Sequence, residues 1–345
     1  MDIEVFKSLS EMLGPSGFED RIRDYILAQI ENYVDGYKID ALGNLITWIG
    51  DGEPKLVLDA HMDEIGFIVK YITDKGFLKI ANLGGIKPMT AIGSKVSVMG
   101  DKDDITGVVG SIPPHLAKAG LDRTGLKIED LYVDIGAENK DEVLELGIHK
   151  GTPITFKQEF EERGKYIYGK AFDDRIGCGI MVSLIKEVKD IETGALYAVF
   201  SVQEEVGCRG ALTAAYNINP KVAIAIEGTI AADTPGISPE NSITFLGRGP
   251  AIRIMDGSMI ANKKLFNIIR NIAEERKIPY QIQLSPYSGT DAGKIQLVRR
   301  GVAVTSLSVP SRYIHTPLSI ARKSDLENTI KLIRYSIPEI LERFK

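Results

Sequence analysis

Cysteine and histidine are scarce in this chain of 345 residues, and its net charge is small. It has only two cysteines, Cys178 and Cys208, together with four histidines and a formal net charge of −5. Two cysteines cannot build a disulfide framework, so a reducing cytoplasm is the expected location. No basic run stands out, which argues against nucleic acid as a partner. No apolar stretch approaches the roughly 20 residues of a membrane span, and the start resembles an amphipathic helix rather than a signal peptide.

The length exceeds the usual size of a single hydrophobic core, so two domains are expected. Residues 1–70 and 165–345 alternate apolar runs with helical periodicity, as α/β domains do. Residues 71–164 differ, because their short β-like runs are separated by glycines every few positions. We therefore predict a discontinuous α/β domain, with a mixed sheet flanked by helices, and a small β-barrel domain inserted into it.

An almost wholly apolar run, residues 195–202, ends abruptly at two adjacent glutamates, Glu204 and Glu205. The run is too short to span a membrane and predicts a buried strand. In α/β sheets the crevice outside the carboxyl ends of the strands is where ligands bind. Two like charges at that position repel each other, and a bound metal ion would stabilise them.

Other predicted strands end in similar residues. His61 and Asp63 follow the strand 56–60 and lie on the same side of an extended backbone, close enough for Asp63 to fix the tautomer of His61. The alternative is a buried histidine–carboxylate pair without a metal. Asp173 and Asp174 precede a helical pattern, where one aspartate could simply be the N-cap. A short carboxylate there could also bridge two metals.

Two further candidates come from the C-terminal half. Glu227 ends the predicted strand 222–226, and His315 follows the predicted strand 302–309; the alternatives are a solvated strand end and a loop histidine without a function. His115 and His149 are weaker candidates. Taken together, two histidines and four carboxylates without cysteine suit a pair of Zn²⁺, Co²⁺ or Mn²⁺ ions. Two metals ~3.5–4 Å apart activate a hydrolytic water.

Residues 16–30 carry the sequence pattern of a helix and its N-terminal cap. Residues 16–19 (SGFE) have capping-box spacing, and Ile22, Ile26 and Ile30 then recur on one helical face. The sequence therefore predicts that Ser16 caps a helix near this point.

The order of the motifs HMD (61–63), AFDDRIG (171–177), QEEVG (203–207), IEGT (226–229) and YIHTP (313–317) resembles a known family. This family is the forty-second metallopeptidase family, the tetrahedral di-metal aminopeptidases. Its members include glutamyl aminopeptidases and proteins named as endoglucanase-like. LGPSGFE, GRGP and GTDAG are also similar to that family. Asp173 follows His61 by 112 positions, which leaves room for the inserted domain.

The resemblance implies a zinc-exopeptidase-like fold that binds two divalent ions, Zn²⁺ or Co²⁺, in each subunit. It assigns His61 and Glu227 to one ion, Glu205 and His315 to the other, and Asp173 as their bridge. Glu204 would be the general base, and Asp63 would orient His61. Many relatives have an aspartate where this chain has Glu227. The resemblance further implies dimer contacts through the inserted domain and a tetrahedral shell of twelve subunits.

The function expected is removal of N-terminal residues from short peptides. A carboxylate-pair glycosidase fits adjacent glutamates poorly, whereas a di-metal deacylase or dipeptidase and a non-catalytic protein with structural metals stay open as alternatives. Residues 247–259 and 285–293 are expected to form the substrate pocket. They include Arg253, Asp256 and Asp291, so acidic, basic and neutral N-terminal side chains all remain possible.

Overall fold

The computed structural model describes residues 1–112, 125–188 and 190–345. Its helices are α1 (Ile3–Glu11), α2 (Asp20–Ile30), α3 (Pro88–Ala91), α4 (Lys140–Glu145), α5 (Phe172–Glu187), α6 (Arg209–Ile218), α7 (Lys263–Glu275), α8 (Ala292–Ile295) and α9 (Lys323–Arg343). Its strands are β1 (Gly36–Ile39), β2 (Leu45–Ile49), β3 (Lys55–His61), β4 (Gly66–Ile72), β5 (Leu78–Leu83), β6 (Lys95–Met99), β7 (Asp104–Gly110), β8 (Tyr132–Asp134), β9 (Pro153–Phe156), β10 (Glu161–Arg163), β11 (Tyr166–Gly169), β12 (Ala195–Ser201), β13 (Val222–Ile230), β14 (Ala251–Asp256), β15 (Gln281–Ser285), β16 (Ala303–Arg312) and β17 (Ser319–Arg322).

A large mixed sheet forms the centre of the molecule. Its strands follow the order β1-β2-β12-β3-β13-β16-β17-β11-β10, and β14 joins the sheet through β16 and pairs with β15. β12, β3, β13 and β16 pair in parallel. β11 runs in the same direction, because it is antiparallel to β17, which is antiparallel to β16. Five carboxyl ends therefore lie at one edge of the sheet.

Both faces of the central strands β12, β3 and β13 are buried, which explains why these strands are almost wholly apolar. Leu56 and Leu58 of β3 pack into the core beneath α1, α2, α5, α7 and α9, whereas Val57 packs into the core beneath α6 and α8. Successive side chains on a strand point to opposite faces, so such a strand needs apolar residues at every position. The helices on both faces complete a three-layer arrangement.

A closed antiparallel barrel of six strands, in the order β4-β5-β8-β7-β6-β9, is inserted after β3. Its own core contains Phe67, whose ring packs edge-on against Phe156 with centroids 5.7 Å apart. Mixed sheet, flanking helices and inserted barrel confirm the predicted fold class. The barrel strands fall between Gly66 and Phe156, and the domain limits at residues 71 and 164 stay a prediction. Among the described residues, no helix combines the length and apolar character needed to cross a membrane.

The capping-box prediction at residues 16–19 is wrong. α2 begins at Asp20 after Glu19, and no side chain caps it. The Ser16 hydroxyl donates instead to the Asp63 carboxylate at 2.5 Å. Spacing alone indicated a local partner for Ser16, but the tertiary fold brings a stronger acceptor to it.

Candidate active site

The predicted site residues meet at the edge where the five parallel strands end. His61 is the last residue of β3, Asp173 follows β11, Glu204 and Glu205 follow β12, and His315 follows β16. Glu227 is the exception, because the prediction that it ends its strand is wrong. β13 continues to Ile230, since it pairs with β16 from Val222 ↔ Ala303 through Ile230 ↔ Ser311. Glu227 therefore reaches the site from within a strand and is 5 % exposed.

Asp173 lies between the two histidines. Its Oδ1 is 3.2 Å from Nε2 of His61, and its Oδ2 is 3.3 Å from Nε2 of His315. β13 packs directly against it, because a Cβ on Gly228 would lie 3.0 Å from the Asp173 Cα. A carboxylate that presents one oxygen to each of two ligand groups has the geometry of a bridge.

Both histidines turn Nε2 towards Asp173 because backbone carbonyls bind their other ring nitrogens. Nδ1 of His61 donates to the carbonyl of Asp63 at 3.1 Å, and Nδ1 of His315 donates to the carbonyl of Gly85 at 2.9 Å. The Asp63 carboxylate lies slightly farther from His61, at 3.4 Å. A hydrogen bond on one ring nitrogen selects the tautomer that leaves the other free as a ligand.

Three groups of described residues have ligand atoms within 4.8 Å of one another: His61 with Asp174 and Glu227, Asp173 with Glu205 and His315, and Glu204 with Cys208 and Asp291. Glu227 Oε2 is 3.9 Å from His61 Nε2, and Glu205 Oε1 is 3.5 Å from His315 Nε2. Two ligands of one tetrahedral zinc ion, each at ~2.0–2.1 Å, lie roughly 3.3 Å apart. The donor types and the spacing therefore fit divalent ions.

The charges of the site show why a cation would stabilise it. Burial, together with neighbouring carboxylates and against the opposing effect of the histidines, raises the pKa of Glu204 to about 8 and that of Glu205 to about 7. Burial opposes the charged form of His315, yet its hydrogen bond to Asp173 and the nearby Glu205 raise its pKa to about 10. Burial also opposes ionisation of Asp173, but the two histidines lower its pKa. These carboxylates are held together at the cost of their mutual repulsion.

Asp63 organises the turn that carries the two glutamates. Its carboxylate accepts the backbone N–H of Glu204 at 2.9 Å and that of Glu205 at 3.1 Å, besides the Ser16 hydroxyl. Burial disfavours its charged form, but hydrogen bonds with His61, Ser16 and the Glu204 backbone lower its pKa. One buried carboxylate thus positions both strand ends relative to each other.

The side chains of the adjacent glutamates face different partners. Glu205 faces His315, whereas Oε1 of Glu204 lies 3.2 Å from the thiol of Cys208. Asp174 also binds the backbone of its own helix: its Oδ1 accepts the N–H of Gly177 at 3.0 Å, as a capping residue does. Sequence reasoning treated Asp174 only as part of an aspartate pair and missed Cys208 and Gly85 as neighbours of the site.

A buried ion-pair cluster lies beside the carboxyl end of β3. Lys170 donates to both oxygens of Glu64, at 2.6 and 2.7 Å, and Arg175 donates to the carbonyls of Met62 and Leu9 at 2.5 and 2.7 Å. Lys170, Glu64 and Arg175 are each 2 % exposed or less. The cluster therefore holds the backbone carbonyl of Met62 and the carboxylate of Glu64, the two neighbours of Asp63 in the chain.

The site opens into a cleft of about 770 Å³. Arg253, from the first predicted pocket segment, lines the cleft and donates to Asp256 at 3.1 Å. Both side chains are buried, and the carboxylate of Asp256 balances the charge of Arg253. Asp291, from the second segment, is 1 % exposed and accepts a hydrogen bond from Ser201 at 2.9 Å.

The two weaker histidine candidates do not join the site. His149 is exposed, and its Nε2 lies 3.2 Å from Asp101 on the barrel. His115 lies outside the described residues.

Comparisons with known proteins agree with this architecture. Residues 43–332 match the M42 glutamyl aminopeptidase family. A lysyl aminopeptidase of Pyrococcus furiosus is 36 % identical over 347 residues, covering 99 % of this chain and 98 % of the relative. The structure of a TET aminopeptidase from a Thaumarchaeota archaeon of marine sediment has a TM-score of 0.95 at 36 % identity, covering 99 % and 98 % of the two chains. The TET1 peptidase of Pyrococcus horikoshii, which can assemble into a tetrahedron or a large octahedral shell, has a TM-score of 0.86 at 37 % identity, covering 97 % and 98 %.

Fold and relatives together define the class: the protein is a hydrolytic aminopeptidase. More specifically, the chain belongs to the M42 glutamyl aminopeptidase family. The family resemblance of the motifs is thereby confirmed. The glycosidase, deacylase and non-catalytic alternatives are not favoured, because relatives that span nearly the whole chain are aminopeptidases.

Proposed function

We propose that this aminopeptidase removes N-terminal residues from short peptides with the help of two divalent ions, Zn²⁺ or Co²⁺, in each subunit. His61 and Glu227 would hold one ion and Glu205 and His315 the other, with Asp173 as the shared ligand. The observation that carries this assignment is the position of Asp173, whose two oxygens lie 3.2 and 3.3 Å from the two Nε2 atoms.

The ions would polarise the scissile carbonyl, anchor the free α-amine and activate the attacking water. Glu204 would act as the general base, taking a proton from the water and delivering it to the leaving amine. Its pKa of about 8 lies near working pH, as proton transfer in both directions requires. Bound cations would lower that value, so its position in the cleft supports the role more directly than its pKa does.

Asp63 would serve this chemistry without touching the substrate. Its backbone carbonyl binds Nδ1 of His61, and its carboxylate binds the turn that carries Glu204 and Glu205. We propose that it orients His61, as the sequence predicted, and that it also sets the position of the base.

A panel of substrates tests the reaction. We expect aminoacyl p-nitroanilides and short peptides to be hydrolysed, and their N-acetylated counterparts to be inert because they lack the free amine. EDTA should abolish the activity, and Zn²⁺ or Co²⁺ should restore it. Preference for the acetylated compounds would favour the deacylase instead, and activity on a cellulose oligomer that resists EDTA would favour the glycosidase.

We further propose that the chain forms dimers through the inserted domain, residues 71–164, and that the dimers build a tetrahedral dodecamer in the cytoplasm. The assembly of the Pyrococcus horikoshii relative into a tetrahedron supports this proposal. Light scattering on the purified protein should give twelve times the 37.9 kDa of one chain. A mass of one or two chains would contradict the shell.

A further inference from the structure

One side chain that the proposed mechanism does not use touches its general base. The Sγ of Cys208 lies 3.2 Å from Oε1 of Glu204. Among the residues that the structure describes, this thiol is the only hydrogen-bond donor to the Glu204 side chain. Both residues line the cleft.

The backbone places the thiol at this point. The carbonyl of Glu204 accepts the N–H groups of Gly207 and Cys208, each at 2.8 Å, which closes a tight turn between β12 and α6. Cys208 ends the turn in the left-handed conformation, with φ 55° and ψ 44°. L-residues adopt this conformation at a cost, and it persists where the surroundings fix it. The turn therefore holds the Cys208 side chain beside that of Glu204.

We infer that Cys208 is a positioning residue of the reaction, whose Sγ–H donates to Glu204 and holds the carboxylate towards the reacting water. This inference rests on the proposed role of Glu204 as the base. It assigns no covalent chemistry to the thiol, which stays protonated throughout.

The surroundings of the thiol agree with a donor rather than a nucleophile. Burial raises the pKa of Cys208, and the carboxylates of Asp291 and Glu204 raise it further. Thiolates are the reactive form of cysteine, so a thiol held protonated reacts slowly and acts as a hydrogen-bond donor. Cys178 provides a contrast, because it is fully buried and donates to the carbonyl of His61 at 3.2 Å, away from Glu204.

Two substitutions separate donation from packing. Cys208→Ser keeps a donor, and Cys208→Ala removes it without adding the β-branch that a left-handed backbone tolerates poorly. We expect Cys208→Ala to lower kcat about tenfold with KM within about twofold of wild type. Cys208→Ser should restore kcat to within about threefold. Equal kcat for Cys208→Ala and wild type, or equal losses for both substitutions, would overturn the inference.

A second readout does not depend on turnover. In metal-free protein treated with 4,4′-dithiodipyridine, mass spectrometry would follow the modification of each cysteine. At a pH above the Glu204 pKa of about 8, we expect Glu204→Gln to speed modification of Cys208 at least threefold, because it removes the negative charge beside the thiol, while Cys178 stays unmodified in both proteins. An unchanged rate at Cys208 would contradict the contact. This measurement tests the contact between the Cys208 thiol and Glu204 even if Cys208→Ala fails to fold.

The two proposals can fail separately. If Glu204→Gln retains turnover, the base assignment fails, and the inference about Cys208 fails with it. If Glu204→Gln is inactive while Cys208→Ala turns over like wild type, only the inference about Cys208 fails.

Discussion

The carboxylate of Asp63 accepts the backbone N–H of Glu204 at 2.9 Å, so the end of β3 is tied directly to the turn after β12. The same carboxylate holds Glu205 at 3.1 Å. Neither contact follows from the HMD motif alone, because the two partners are 141 and 142 positions away in the chain. The residue predicted to orient a histidine also connects two parts of the site.

Asp63→Asn should therefore weaken the site more than loss of a histidine contact alone would. The amide has one oxygen where the carboxylate has two, so one of the N–H groups of Glu204 and Glu205 loses its acceptor. We expect kcat/KM and metal affinity each to fall about 10–100-fold. Ser16→Ala is the matched control, since it removes only the hydroxyl donor at 2.5 Å. Equal effects of the two substitutions would show that the backbone contacts are unimportant.

Asp173→Ala should abolish retention of both ions, because it removes the ligand that they are proposed to share. Metal content after dialysis, measured by inductively coupled plasma mass spectrometry, checks this. His149→Ala is the control, because His149 is exposed on the barrel and should keep two ions per subunit. An Asp173→Ala protein that keeps two tightly bound ions would contradict the bridge.

Lys170→Met should lower the free energy of unfolding by about 3–5 kcal/mol, because it leaves the Glu64 carboxylate buried without its main partner. The pair lies at 2.6 Å with side chains 1 % and 2 % exposed. Arg334→Met is the control: its pair with Glu187 is similarly short, at 2.7 Å, but about 40 % exposed, and should cost at most ~1 kcal/mol. Urea unfolding followed by circular dichroism compares the two, and similar losses would contradict the importance of burial.

Glu19 should make stability depend on pH. Burial, and to a lesser extent the charge of Asp63, raise its pKa from 4.5 to about 7 in the folded protein. The folded state therefore binds more protons than the unfolded state between these values, and the stability that protonation provides is lost as pH rises through 7. Glu19→Gln, which keeps an oxygen acceptor, should reduce the loss between pH 4.5 and 8 by up to ~3 kcal/mol. Parallel curves for mutant and wild type would refute this.

The fold and the location of the site follow from sequence because their causes are local. Strands buried on both faces need unbroken apolar runs, so β12 and β3 were predicted to within one residue at each end. Polar ligand types then appear directly after those runs. Glu227 shows where this reasoning fails: β13 continues for three residues beyond it because β16 pairs along the whole length, which no pattern within residues 222–226 indicates.

Contacts between distant segments could not be predicted. Gly85 reaches His315 from the inserted barrel, and 230 positions separate them. Ser16 matched a helix cap by spacing but binds Asp63, because tertiary structure outweighs a local signal. The thiol of Cys208 meets Glu204 only because the turn between them adopts a left-handed conformation at its end.

Glu204→Gln, measured for metal content and turnover on the same sample, tests the division of work between the adjacent glutamates most directly. If Glu205 is the ligand and Glu204 the base, the variant should retain two ions per subunit while kcat falls about 10²–10⁴-fold. Glu205→Gln should instead lose metal. A Glu204→Gln protein that keeps both ions and turns over within tenfold of wild type would contradict the assignment of Glu204 as the base.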